Sequence, residues 1–385
     1  MYIRNKITIS AARLVSQFSK MSSALPPPMD KFAEAMQIVY RYPTSPSDEP
    51  WTPPPASAGH KGRYLWTDAF GVLNFITLFR ATSNPHYLSL ARALVDAVHT
   101  TLGRTRSGSS WLRGATDAAP LAGGLRIGKD AAGGPDGDGQ YHHYLTLWMY
   151  ALNRLGAAAA DPRYNALAVQ LARAVHPAFV YDRDGPRPRM YWKVSVDLSV
   201  PLVRSEGNLD PIDGYVVYRL LQRSDGPESK VLEREIEEYR RIVETKWRGY
   251  RSDDPLDLGM TMWTSHFFGS GRGAEKEEWS ESLLEAAKRD TTRLFERGYF
   301  NASVKRRLAF REFGTVLGLR CGAEGAQWDD MAKTILDAWE STGAVPDPSK
   351  AKAEAALNSE KDLVPITLVM YAAALNPASF RMDNT

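Results

Sequence analysis

Cysteine is almost absent: Cys321 stands alone in 385 residues. A single thiol excludes an intrachain disulfide and any multi-cysteine metal site, and makes a reducing compartment the default expectation. No uninterrupted apolar run approaches the roughly 18 residues that a membrane span needs, so no membrane partner is expected. Charge of one sign is scarce as well. The formal net charge is +3 with a pI near 8.7, and no basic block alternates with aromatics, which argues against a nucleic-acid partner. The glycine-rich stretch 133–139 has no Lys-Ser/Thr and follows no strand, which removes a phosphate loop; it reads as a mobile loop beside a pocket. Histidines paired at metal-ligand spacing are missing too, so no metal is assigned and no cofactor is expected.

What the chain does have is ordinary globular composition, 43% hydrophobic and 24% charged residues, laid out with helical periodicity. Asp30 and the prolines before it predict a first helix over 31–42, ended by Pro43. Residues 44–62 turn to proline, serine and glycine and read as an irregular crossing. A helical hairpin follows. Its first helix is densely apolar (Leu73, Ile76, Leu78, Phe79); the turn Ser83-Asn84-Pro85 leads to a second whose stripe of Leu88, Leu94, Val95 and Val98 runs between Arg92, Asp96 and His99. The first is predicted to be inner and the second outer. The same pattern returns over 138–176, where Asp161-Pro162-Arg163-Tyr164 matches Asn84-Pro85-His86-Tyr87, proline falling in the first turn of the outer helix. Further pairs are predicted at 213–221 with 230–245, 257–268 with 277–297 and 310–320 with 326–340, and one more inner helix at 362–375.

Helical pairs of this kind cannot bury their own apolar faces, and they stack into a solenoid or close into a ring. Six inner helices begin near Asp68, Asp138, Asp213, Asp257, Glu312 and Asp362, and the N-terminal helix supplies the sixth outer partner. The predicted fold is all-α, an (α/α)6 toroid, with residues 1–29 as an N-terminal extension, 30–380 as a single domain and 381–385 as a tail. In this repeat layout the chain resembles the six-hairpin glycosidase superfamily, whose toroids include glycoside hydrolases, unsaturated glucuronyl hydrolases and sugar epimerases. The resemblance implies an enzyme acting on a small carbohydrate or oligosaccharide. Oligomeric state stays open. Arg4, Lys6, Arg13 and Lys20 with no acid among them suit a mitochondrial presequence, while Met21 reads as a natural start; the cytoplasm is the expected location and the mitochondrion the alternative.

In such a ring the long connections 104–137, 180–212 and 246–256 emerge on the face that holds the N-termini of the inner helices, whose unpaired amides favour negative charge. That face is where a site is expected. Asp68, Asp138, Asp213, Asp257 and Glu312 recur there, and helix capping accounts for each taken alone. Two concentrations stand out: Asp138, Gln140, Tyr141, His142 and His143 form one, and Arg204, Glu206, Asp210 and Asp213 the other. Cleaving a glycosidic bond takes a carboxylic acid to protonate the leaving oxygen and a carboxylate to activate water or attack carbon. Asp138 with Asp213 is the predicted pair, Glu206 the substitute. Trp66, Tyr141, Trp192 and Trp263 are candidate sugar-stacking rings, with core packing the competing account. Asp68, Gln140, Arg204, Asp210 and Glu312 complete the expected binding set, and Arg63, Arg204 and Arg311 hint at an anionic sugar.

His142, His143 and His266 carry the main alternative. In epimerase-type toroids histidines exchange a proton at a sugar carbon, and an imidazole with an ordinary pKa near 6.5 suits that work. Adjacent residues on a helix diverge, so only one of His142 and His143 is expected to face the pocket. Asp210-Pro211-Ile212-Asp213 also resembles the acidic motifs of terpene cyclases, a third reading, whereas Asp329-Asp330 is expected to be solvated on an outer helix. A non-enzymatic helical-repeat binding protein is the fourth, using the charged helix around 233–241 as a partner face.

Overall fold

The computed structural model describes residues 28–46, 49–54, 63–134, 137–269, 276–345 and 363–381. The predicted helix start at Asp362, two positions of the glycine-rich stretch, most of the N-terminal extension and residues 382–385 lie outside the described residues.

Among the described residues the chain forms twelve α-helices. The inner ones are α2 (Leu65–Thr82), α4 (His142–Ala159), α6 (Asp210–Asp225), α8 (Pro255–Gly269), α10 (Ala309–Gly322) and α12 (Val364–Leu375). The outer ones are α3 (His86–Leu102), α5 (Arg163–Phe179), α7 (Glu233–Lys246), α9 (Glu278–Glu296), α11 (Ala326–Glu340) and, from the start of the chain, α1 (Met29–Tyr40). Each inner helix packs on the next and α12 packs back on α2, so the ring closes. An inner helix touches two ring neighbours and its outer partner, and α8 accordingly buries every residue from Leu258 to Gly269. An outer helix has one covered face: α7 carries a charged sequence and buries only Glu238, Tyr239, Ile242 and Val243.

Local chemistry explains the hairpins. Asn84 and Asp161 each accept the backbone N–H two residues on, at 3.0 and 3.1 Å, with the proline between them setting up the first turn of α3 and α5. At the close of the circle Lys31 on α1 pairs with Glu340 on α11 at 2.7 Å, and Asn74 on α2 donates to the Val369 carbonyl of α12 at 2.9 Å. α8 and α10 approach most intimately, because Gly259 lies against the Gly314 backbone and Gly318 against Gly259.

Two differences from the expected boundaries matter here. α1 stops at Tyr40 because Arg41 turns left-handed (φ 47°) and caps Gln37, two residues before Pro43 takes effect. α4 begins only at His142: Gln140 and Tyr141 form a short strand, β1, paired antiparallel with Lys193–Val194, so Asp138 and Gln140 belong to the connection rather than to the helix. Near the chain end, and within the predicted domain, Ser379 and Phe380 enter the ring interior. Thr77 and Tyr150 bond Ser379 at 2.9 and 3.0 Å, and Trp263 donates its indole N–H to the Phe380 carbonyl at 2.9 Å. Three inner helices thus grip this segment, closing the ring below and leaving open space at the inner-helix N-termini.

Candidate active site

A cavity of about 320 Å3 opens at that end, lined by Trp66 from α2, His143 from α4, Asn208, Leu209, Asp210 and Asp213 at the start of α6, Asp254, Leu256, Asp257 and Met260 at the start of α8, and Arg311 from α10. Four aspartates and one imidazole thus share one small space.

Their environments differ. Asp210 is the first residue of α6, and its Oδ1 faces two imidazoles, His142 Nδ1 at 3.5 Å and His143 Nδ1 at 3.7 Å. Burial pushes its carboxyl up, but the two histidines outweigh that and hold it below the ordinary carboxylate range. Asp213, one turn on, accepts a hydrogen bond from the Thr264 hydroxyl at 2.7 Å. Burial, with the charges of Asp210 and Asp257 added, raises it well above the ordinary range despite that bond. Asp257 is also raised by burial, although Asn208 (2.7 Å) and Tyr250 (3.1 Å) donate to it. Asp254 caps α8 by accepting the amides of Leu256 and Asp257 at 2.8 and 3.2 Å, and pairs with Arg311. Trp66 packs its ring edge-on against His143, 5.1 Å between centroids.

Other residues singled out in the sequence sit elsewhere. Asp138 does not reach the cavity: its fully buried carboxylate is held by Arg106 at 3.0 Å, Arg126 at 3.2 Å and the amides of Gly128 and Lys129. It is the knot of the long connection before α4. Glu206 lies half-exposed between Arg189 and Lys246, each at 3.6 Å. Asp68 is clasped by Arg63, through Nε at 2.9 Å, and by Tyr40 of α1 at 3.1 Å. Glu312 is clasped in the same way by Arg307 and by Trp339 of α11, whose indole N–H is 2.8 Å away. Glu312 thereby ties α10 to its outer partner α11, and Asp68 ties α2 to α1, the outer helix of the neighbouring pair. Gln140 is spent on Leu125, Gly123 and Val196. Tyr141 and Trp192 pack on each other at 5.0 Å between centroids, and Trp192 donates to Ser205 at 3.1 Å, beside rather than in the cavity. Arg204 is exposed. Trp263 and His266 lie deeper in the ring, the His266 imidazole bonded to the Trp263 carbonyl and pushed down to about 4 by burial. Asp329 and Asp330 are exposed, as expected.

Of the two adjacent histidines His143 reaches the cavity, while His142 turns inward and places Nε2 2.6 Å from Tyr239 Oη. The contributions of Asn208, Asp254 and Met260 escaped the sequence reading, although one signal was there: Asp-Pro-Ile-Asp at 210–213 and Asp-Pro-Leu-Asp at 254–257 begin consecutive inner helices. Among the described residues no three His, Cys, Asp or Glu side chains are arranged to hold a metal ion, and no helix is long and apolar enough to cross a membrane.

No protein-family model matches the sequence, and neither does any curated protein. Among solved structures, cellobiose 2-epimerase from Spirochaeta thermophila superposes over 92% of this chain and 99% of its own, with a TM-score of 0.51 and 14% identity. The chain has the (α/α)6 toroid fold. At that identity the likeness is one of architecture, the six-hairpin ring, and the residues of the mouth have to speak for themselves.

Proposed function

We propose that this protein is a carbohydrate-active enzyme working by acid–base catalysis at the mouth of the toroid, and that it cleaves a glycosidic bond with Asp213 as the proton donor and Asp210 as the ionised partner. The observation that carries this reading is the opposed behaviour of the two carboxyls. One pocket holds an aspartate whose carboxyl burial pushes up and an aspartate whose carboxyl two imidazoles hold down, and groups driven apart in this way mark acid and base. Trp66 offers an aromatic wall for the apolar face of a pyranose, and a 320 Å3 space matches the lower end of small-ligand pockets. The bond-breaking step of glycosidic cleavage is carried by such a pair, one carboxylic acid and one carboxylate.

A second reading rests on His143. Its imidazole is partly exposed in the cavity with Asp210 behind it, an arrangement suited to removing a proton from a sugar carbon, and the structural neighbour is named as a 2-epimerase of a disaccharide. One experiment separates the two. Mono- and disaccharides are incubated with the protein in D2O and followed by proton NMR. Release of a new reducing end without deuterium on carbon supports hydrolysis; loss of the carbon-2 proton signal with an inverted product supports epimerisation; neither change across a broad panel overturns the carbohydrate reading.

A further inference from the structure

Behind the cavity, on the side away from solvent, three side chains from three helices stand in line: Asp210 on α6, His142 on α4 and Tyr239 on α7. His142 Nδ1 lies 3.5 Å from Asp210 Oδ1, and His142 Nε2 lies 2.6 Å from Tyr239 Oη. His142 is 1% exposed and Tyr239 fully buried, so neither touches a ligand in the cavity. The outer helix α7 brings its tyrosine this far in because Gly214 leaves the room: a methyl there would overlap the Tyr239 ring. Two other titratable groups pack on Tyr239, and one of them, Tyr218, also reaches its hydroxyl. Tyr218 donates to the Ala172 carbonyl at 3.2 Å, and His176, whose ring stands edge-on to Tyr239, is bonded to Glu238 at 2.9 Å. Phe179 closes the remaining side of His142.

The polarity of this line follows from its ends. An ionised carboxylate only accepts, so the imidazole nitrogen that faces Asp210 must carry the proton. In a neutral ring the opposite nitrogen is then a bare acceptor in a buried place, and the phenol 2.6 Å away is placed to donate to it. Burial lifts the Tyr239 phenol well above its ordinary value, so the donor keeps its proton.

We propose that Tyr239 is a positioning residue: its hydroxyl fixes His142 as the Nδ1–H tautomer, and that tautomer turns a donor toward Asp210 and keeps the carboxylate ionised for use in the cavity. The role of the relay in turnover rests on the acid–base reading above; the tautomer itself does not. The relay also accounts for two neighbouring histidines with different duties, His143 toward ligand and His142 toward the core.

The test is nitrogen-15 NMR of the full chain labelled at histidine, with the His142 signals identified by their loss in His142→Gln. The expected spectrum has a protonated Nδ1 and an unprotonated Nε2 for His142, the reverse of the tautomer free histidine prefers. In Tyr239→Phe, which keeps the ring over Gly214 and removes only the hydroxyl, a second set of His142 signals with the proton on Nε2 is expected. A proton on Nε2 in the unaltered protein, or a spectrum unchanged by the substitution, overturns the proposal. If Tyr239→Phe does not fold, Asp210→Asn replaces it: removing the charge that Nδ1–H faces is expected to release the same Nε2–H set, and no change overturns the relay. No substrate enters these measurements. Their failure therefore leaves the carbohydrate reading standing, and a failure to turn over sugars leaves the relay standing.

Discussion

Asp210 and Asp213 share one turn of α6, yet what surrounds them drives them apart. Burial penalises both carboxylates; at Asp210 the imidazoles of His142 and His143 overcome it, whereas at Asp213 the charges of Asp210 and Asp257 add to it. A single helix start thereby offers a proton donor and a proton acceptor to one cavity.

In the proposed mechanism the competent form has Asp213 protonated and Asp210 ionised, which confines it between the depressed value of the one and the raised value of the other. kcat/KM on an identified sugar should follow a bell in pH, with the basic limb set by Asp213 and the acidic limb by Asp210. Asp213→Asn should lower kcat by about 10²- to 10⁴-fold, the usual share of a general acid, and flatten the basic limb. Circular dichroism should be unchanged, because the asparagine oxygen can still accept from Thr264. An Asn variant with full activity sinks the assignment.

Stability carries the opposite signs. Asp213 is raised, so its contribution is whole below the ordinary carboxylate range and is lost as pH rises through its folded value; Asp210 is lowered, so its contribution is whole above that range and is lost as pH falls. Urea denaturation from about pH 2 to about pH 8 should show Asp213→Asn gaining on the unaltered protein as pH rises above about 4, and Asp210→Asn losing ground as pH rises toward about 4. Parallel curves would contradict the opposed environments.

Asp138 should behave as a structural residue. Asp138→Ala leaves Arg126 buried without its carboxylate, and breaking a buried pair costs about 3–5 kcal/mol. A fall in the denaturation midpoint is expected, together with near-normal kcat for the fraction that remains folded. Loss of kcat without loss of stability would return Asp138 to the chemistry.

The cavity has four aspartates against one arginine, itself paired with Asp254. Neutral sugars should therefore bind at least about tenfold more tightly than the matching uronic acids, a difference of about 1.4 kcal/mol, and the gap should narrow with salt. Calorimetric titration of a disaccharide beside its uronate measures it. A preference for the uronate would mean that the arginines outweigh the carboxylates.

Gly259→Ala would drive a methyl into the Gly314 carbonyl and force α8 from α10. Overpacking of this kind costs about 1–3 kcal/mol, and because the clash is with backbone the upper end is expected. Gly249→Ala, which meets nothing within 4 Å, serves as the comparison. Thermal melts of the pair check it.

Local patterns were legible early. The repeated Asn-Pro and Asp-Pro turns, the all-round apolar inner helices and the charged outer ones state the hairpins directly, because turn chemistry and helical periodicity act within a few residues. Asp213 and His143, expected near the inner-helix N-termini, line the cavity, since helix N-termini in a ring share one face. Asp138 and Glu206 were read as chemistry on the crowding of polar residues around them. Crowding does not say whether a carboxylate is free, and their partners Arg106, Arg126, Arg189 and Lys246 come from other parts of the chain.

The sequence by itself therefore determined the architecture: twelve helices in alternating inner and outer roles, a ring, and one end of it rich in acids. Only the tertiary structure decided which acids line the cavity. Asp68 and Glu312 differ from Asp210 and Asp213 by their company, since Arg63 with Tyr40 and Arg307 with Trp339 neutralise the first two, while histidines, a threonine and like charges surround the others. Ionisation is set by burial and by groups within a few ångströms, and in a toroid those groups arrive from helices far apart in the chain.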